Sequence, residues 1–150
     1  MKMYDAKTGS VVARGLLATL SGTTPVAGNI VDLADVGAAT LAVVTGTVAD
    51  AGAAAGIVFE VQESDTTAAA DFTAVADADL LGLESQLSVI EDTEDDVAKG
   101  LVGYRGNKRY VRVVATGSAS TDATVAAVWF LQSSRYEPPA SHAVPNIAAT

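Results

Sequence analysis

The chain has 150 residues, a formal net charge of −9, 49% apolar residues, only 5% aromatics and no cysteine. That length fits one domain with a core of its own. Disulfides, thiolate metal sites and cysteine nucleophiles are excluded, a surface of this sign repels nucleic-acid phosphates, and no run approaches the roughly 18 apolar residues that span a bilayer.

The absence of cysteine favours assembly in a reducing cytoplasm. Asp5, Lys7 and Arg14 interrupt any apolar region near the start, so a soluble chain without a signal peptide is expected. The apolar residues are mostly Ala and Val, set among many Gly and Thr. Small side chains of this kind suit many thin strands in close contact, and a core this light leans on partner subunits for part of its stability.

In chain order, residues 1–25 read as an extended, lightly packed arm, because Arg14 and Gly15 interrupt the apolar stretch 10–20 and SGTTP at 21–25 is a loop signal. Residues 30–33 form a short strand candidate. Residues 40–48 (TLAVVTGTV) are rich in β-branched side chains and read as a strand. In 57–63 (IVFEVQE), Ile57, Phe59 and Val61 alternate with Val58, Glu60 and Gln62, the period of a strand with one buried face. Residues 64–70 are polar and loop-like, and 72–75 are another short strand candidate. Within 79–90, Leu80, Leu83, Leu87 and Ile90 fall at helical spacing, but breaks at Gly82 and Ser85 also fit two short strands, which is the expectation adopted.

The runs 100–104 and 108–114 flank Arg105-Gly106-Asn107, a hairpin signal because Gly and Asn tolerate positive φ. Residues 124–131 (TVAAVWFL) are almost uncharged and should form a central strand. From 133 onward Pro138, Pro139 and Pro145 prevent ladder pairing and mark an extended tail. Short strands joined by polar turns, without long helices, argue for an antiparallel sandwich or barrel. The expected division is an arm at 1–25, a β-domain at 26–132 and a tail at 133–150.

Catalytic chemistry is hard to assemble. His142, the only histidine, lies in the Pro-containing tail far from an acid at defined spacing. The acidic run Glu91-Asp92-Thr93-Glu94-Asp95-Asp96 lacks the alternation, central Gly and terminal Glu of a calcium loop, so a solvated loop is the reading preferred over a metal site. No phosphate-binding glycine loop occurs. No catalytic, cofactor-binding or metal-ligating residue is assigned, and the chain is read as a binding protein and not an enzyme. Arg105, Lys108, Arg109 and Arg112, interleaved with Tyr104 and Tyr110, form the one basic cluster; a protein-facing contact and internal ion pairing to the strand carrying Glu60 and Glu63 fit it equally.

The segment GNKRYVRVVATG at 106–117, followed by 124–131 and by Ser134-Arg135-Tyr136-Glu137-Pro138, resembles the terminal part of auxiliary head proteins of tailed bacteriophages, the decoration or cement proteins. The resemblance covers about the last fifty residues and implies a β-sandwich or jelly-roll-like body. It implies a virion protein, assembled in the host cytoplasm, that binds the outer surface of the capsid and stabilises the shell. The implied partners are the major capsid protein and further copies of itself, as a trimer, with neither nucleic acid nor membrane involved. Interface residues expected on this basis are Tyr4, Arg14, Leu16 and Leu17 in the arm, Arg105, Arg109 and Arg112 in the basic strand, and Arg135, Tyr136 and Pro138 in the tail. The competing expectation is a tail, fibre or adhesin-like module that binds a host glycan or receptor.

Overall fold

The computed structural model describes residues 10–52 and 56–133. Among the described residues ten strands make two antiparallel sheets. The long sheet has the order β1-β10-β4-β8-β7, from strands β1 (Ser10–Ser21), β4 (Val36–Asp50), β7 (Leu80–Leu81), β8 (Ala98–Tyr104) and β10 (Asp122–Ser133). The short sheet has the order β2-β9-β5-β6, with β3 also paired to β9; its strands are β2 (Val26–Ala27), β3 (Val31–Asp32), β5 (Val58–Ser64), β6 (Thr73–Ala74) and β9 (Tyr110–Thr116). The mostly-β, sandwich expectation holds.

One core lies between the sheets. Alternation along β10 sends Ala123, Val125, Ala127, Trp129 and Leu131 inward. Leu41 and Val43 join them from β4, and Phe59, Val61, Val111, Val113 and Ala115 face them from the short sheet. Residues 124–131 do form a central strand, held between β1 and β4.

Three expectations need correction. Most of the stretch read as a light arm is strand β1, paired with β10 from Ser10↔Gln132 to Ser21↔Asp122 and burying Ala13, Leu16 and Leu20. The register shifts between Arg14 and Leu16. This one-residue bulge reverses the alternation, turning Leu16 inward and Leu17 outward. Gly15 sits at the shift because a Cβ there would lie 3.0 Å from the Ala127 carbonyl oxygen and 3.1 Å from Trp129 Cδ1. What looked like an interruption of an apolar run is the device that lets the strand fit.

The expected hairpin at 105–107 does not form. β8 pairs with β4 and β7 in the long sheet, whereas β9 pairs with β5 in the short one, so 105–109 arch from one sheet to the other. Within 79–90 the only strand is the short β7 at Leu80–Leu81; Glu84–Leu87 is a 3₁₀ turn that buries Leu87 while Leu83 and Ile90 stay exposed, so the helical spacing reflects no common face.

Candidate functional site

On the long sheet, the residues that alternate with the core point away from the short sheet. Register across the strands arranges them in rows: Val12, Phe130, Thr40, Gly103 and Leu81, then Arg14, Val128, Ala42 and Leu101, then Leu17, Ala126 and Val44. A further pair, Thr19 and Thr124, brings its hydroxyls within 3.4 Å. Arg14 is the one charged residue in these rows. With the Asn29 amide oriented so that its oxygen faces the guanidinium, it accepts from Arg14 Nε at 3.2 Å and Nη2 at 3.3 Å. At the border, Lys99 is ion-paired with Glu94.

Six of the nine exposed large hydrophobics among the described residues lie on this face: Val12 (54%), Leu17 (65%), Val44 (39%), Leu81 (57%), Leu101 (59%) and Phe130 (37%). Together they expose apolar surface on the order of 500 Å², at the upper end of what a lone soluble protein shows. Nothing among the described residues covers it. The short sheet's outward residues differ, with Glu60, Gln62 and Arg112 among them.

The expected basic contact surface is largely spent inside the fold. Arg109 grips Asp32 with both nitrogens, Nε to Oδ1 at 3.1 Å and Nη2 to Oδ2 at 2.8 Å, and lies over the Tyr110 ring. That guanidinium, helped by the Ala34 N–H, holds the Asp32 carboxyl below the usual carboxylate range. Arg112 stacks 4.3 Å over Phe72 and donates from Nε to Gln62 Oε1 at 2.8 Å. Lys108 pairs with Asp65 at 2.6 Å. Arg105 is exposed at the arch. Leu16 is core, whereas Arg14 and Leu17 reach the outer face. Tyr4, Arg135, Tyr136, Pro138 and His142 lie outside the described residues.

Tyr104 ties the sheets together beside the arch. Its hydroxyl donates to Glu63 Oε2 at 2.5 Å and accepts from the Lys108 N–H at 3.0 Å. Burial, then donation to that carboxylate, pushes the phenol far above its ordinary pKa. Next to it is a cavity of about 230 Å³ lined by Leu33, Val36, Ala39, Tyr104, Asn107 and Lys108 among others. It opens at the end of the long sheet where Ser10 and Ser133 lie, since Ser10 pairs with Gln132 and Ser133 with Val36.

The acidic run at 91–96 works as a strap. Asp95 Oδ1 accepts from the Val48 N–H at 2.5 Å, and Asp92 Oδ1 from the Ala51 N–H at 2.7 Å. Glu94 Oε2 accepts from Ile90 and Glu91 N–H at 2.6 and 3.1 Å. Burial opposes ionisation of Glu94, but Lys99 and these two amides outweigh it and hold the carboxyl below its ordinary pKa. Thr45 completes the strap, donating to the Glu94 carbonyl at 2.6 Å and accepting from the Val97 N–H at 3.0 Å. Among the described residues no group of three or more His, Cys, Asp or Glu is placed to hold a metal ion.

Sequence reasoning missed the apolar face, although its signal was present. The uncharged runs in β4 and β10 suggest strands covered on both sides, yet the described strands make only two layers. One side of those strands therefore stays bare. No family model, no curated protein and no solved structure matches the chain.

Proposed function

We propose that this chain is a structural protein of a tailed-phage head that binds the outer surface of the shell and cements it through many contacts with the major capsid protein. The observation that carries an assembly role is the outer face of the long sheet: a broad apolar field whose three rows carry no carboxylate in a chain of net charge −9, Asp122 and Asp50 lying only at the end beyond Thr19 and Thr124. Such a surface is used when another protein covers it. The phage setting rests on the sequence resemblance of the last fifty residues.

In this reading the shell contacts are made by the segments 1–9 and 134–150, with Tyr4, Arg135, Tyr136 and Pro138 as anchors. Support comes from Ser10 and Ser133, the ends of the described chain, which lie side by side at one end of the long sheet. Segments leaving from one end engage a surface together, and multivalent attachment multiplies modest contacts.

Co-sedimentation with shells stripped of auxiliary proteins tests this. Wild-type protein should pellet saturably, and forms lacking 1–9 or 134–150 should stay folded and remain in the supernatant. The N-terminal deletion must stop short of Ser10, because a longer one strips β1 from the sheet. Undiminished binding by both truncated forms would refute the assignment.

A further inference from the structure

We infer that the outer face of the long sheet is the seat of a second copy of this chain, packed face to face about a two-fold axis. The inference rests on the reading of the chain as an assembly protein and names the partner of that surface.

Three features select a second copy. Charge comes first: two chains of −9 repel one another, so a contact between them forms only where carboxylates are absent. The three apolar rows of this face meet that condition, Asp122 and Asp50 standing opposite each other only at the end beyond Thr124, and the one cation in those rows, Arg14, already has Asn29 as a partner. Burying the face leaves no unpaired charge behind. The matching surface, equally apolar, is the same three rows on another copy, the self-complementarity that a two-fold contact requires.

Shape is the second feature. Leu17 on β1 and Leu101 and Leu81 on β8 and β7 are the most exposed of these side chains and stand at the flanks, while the middle strands alternate the small Ala126 and Ala42 with Phe130, Val128 and Val44. With two sheets crossed at near right angles, one of the two common packing modes, the larger side chains of each copy lie over the small Ala126 and Ala42 of the other.

Area is the third. About 500 Å² of exposed large side chains, enlarged by the rim of threonines and Arg14, approaches the roughly 800 Å² that each partner contributes to a standard interface. The isologous arrangement makes pairs, in place of the trimer that the phage resemblance implies.

Sedimentation equilibrium of the full chain over a wide concentration range tests the inference without shells. The expected mass is twice 15.1 kDa. Leu17→Asp and Leu101→Asp, on opposite flanks and exposed in the single chain, should each weaken self-association by at least about tenfold, the scale of a central interface residue. Unchanged Trp129 emission would verify their folding. Val58→Asp, an exposed apolar position on the short sheet, should leave the pair intact. A wild-type monomer at every concentration, a threefold mass, or pairs that survive both leucine substitutions would each overturn the inference. So would pairing that appears only after deletion of 134–150, since the chain's own segment would then be the cover. A monomer that still pellets with shells would sink the pairing and leave the shell-binding role standing; a pair that never pellets would do the reverse.

Discussion

Replacing Tyr104 by Phe removes one oxygen from the arch between the sheets. The Glu63 carboxylate loses a donor at 2.5 Å and the Lys108 N–H loses an acceptor at 3.0 Å. A hydrogen bond to a charged group contributes about 1.5–3 kcal/mol. The site is half-buried, so water replaces part of the loss, and the lower half of that range applies. The expected destabilisation is about 2 kcal/mol, or about 4–8 °C in Tm for a domain of this size. Urea unfolding at fixed protein concentration, followed by Trp129 emission, measures it; Trp129 is the only tryptophan and is fully buried. Gly106→Ala should give a similar loss by another route, because a Cβ there collides with the Tyr104 hydroxyl and the Glu63 carboxylate. Both changes open the same clamp, so the double variant should lose little more than either alone. A Tyr104→Phe loss below about 0.5 kcal/mol, or full additivity with Gly106→Ala, would refute the clamp.

On acidification, the hydrogen bonds of Asp32 and Glu94 should be lost together. Both carboxyls are held below their ordinary pKa, so their contribution is fully present above the ordinary carboxylate range and disappears as pH falls through the lowered folded values. Asp32→Asn with Glu94→Gln should lower neutral stability by about 1 kcal/mol and flatten the acid limb of a Tm-against-pH curve; an unchanged slope would contradict this. Asp95→Ala, which strips the acceptor from the Val48 N–H, should cost about 1 kcal/mol in urea, and millimolar calcium should leave the wild-type Tm in place. A calcium-induced rise would show that the acidic run holds a cation in addition to its backbone bonds.

Local patterns made part of this fold readable. Alternation in Phe59 and Val61 identified β5, β-branched density identified β4, and the lack of charge identified β10, because those signals depend only on neighbours in sequence. The errors came where partners are distant. Gly106-Asn107 marks a sharp change of direction, but it cannot say that β8 pairs with β4 and β9 with β5. There the glycine is needed for close approach to Tyr104, and its φ is not positive. Arg14-Gly15 looked like a break because a bulge and a loop carry the same residues; only the opposing Trp129 distinguishes them. The acids at 91–96 are mostly exposed, as read, but the sequence did not show that Asp95 and Asp92 also cap the amides of Val48 and Ala51, more than forty positions away. The arginines of β9 were seen, and their internal partners were half anticipated: Arg112 does reach the strand of Glu60 and Glu63, through Gln62, while Arg109 turns to Asp32. The outer face needed the strand order before Leu17, Leu101 and Phe130 could be recognised as neighbours on one surface.

In the proposed assembly this face is where copies meet and is covered, while the end segments reach the shell. Hydroxyl-radical footprinting of dilute and assembled protein reads it residue by residue. Leu17, Leu101 and Phe130 should be labelled in the dilute chain and protected on assembly, while Val58 on the short sheet should be labelled equally in both states. Equal labelling of Leu17, Leu101 and Phe130 in both states, with protection appearing elsewhere, would contradict it.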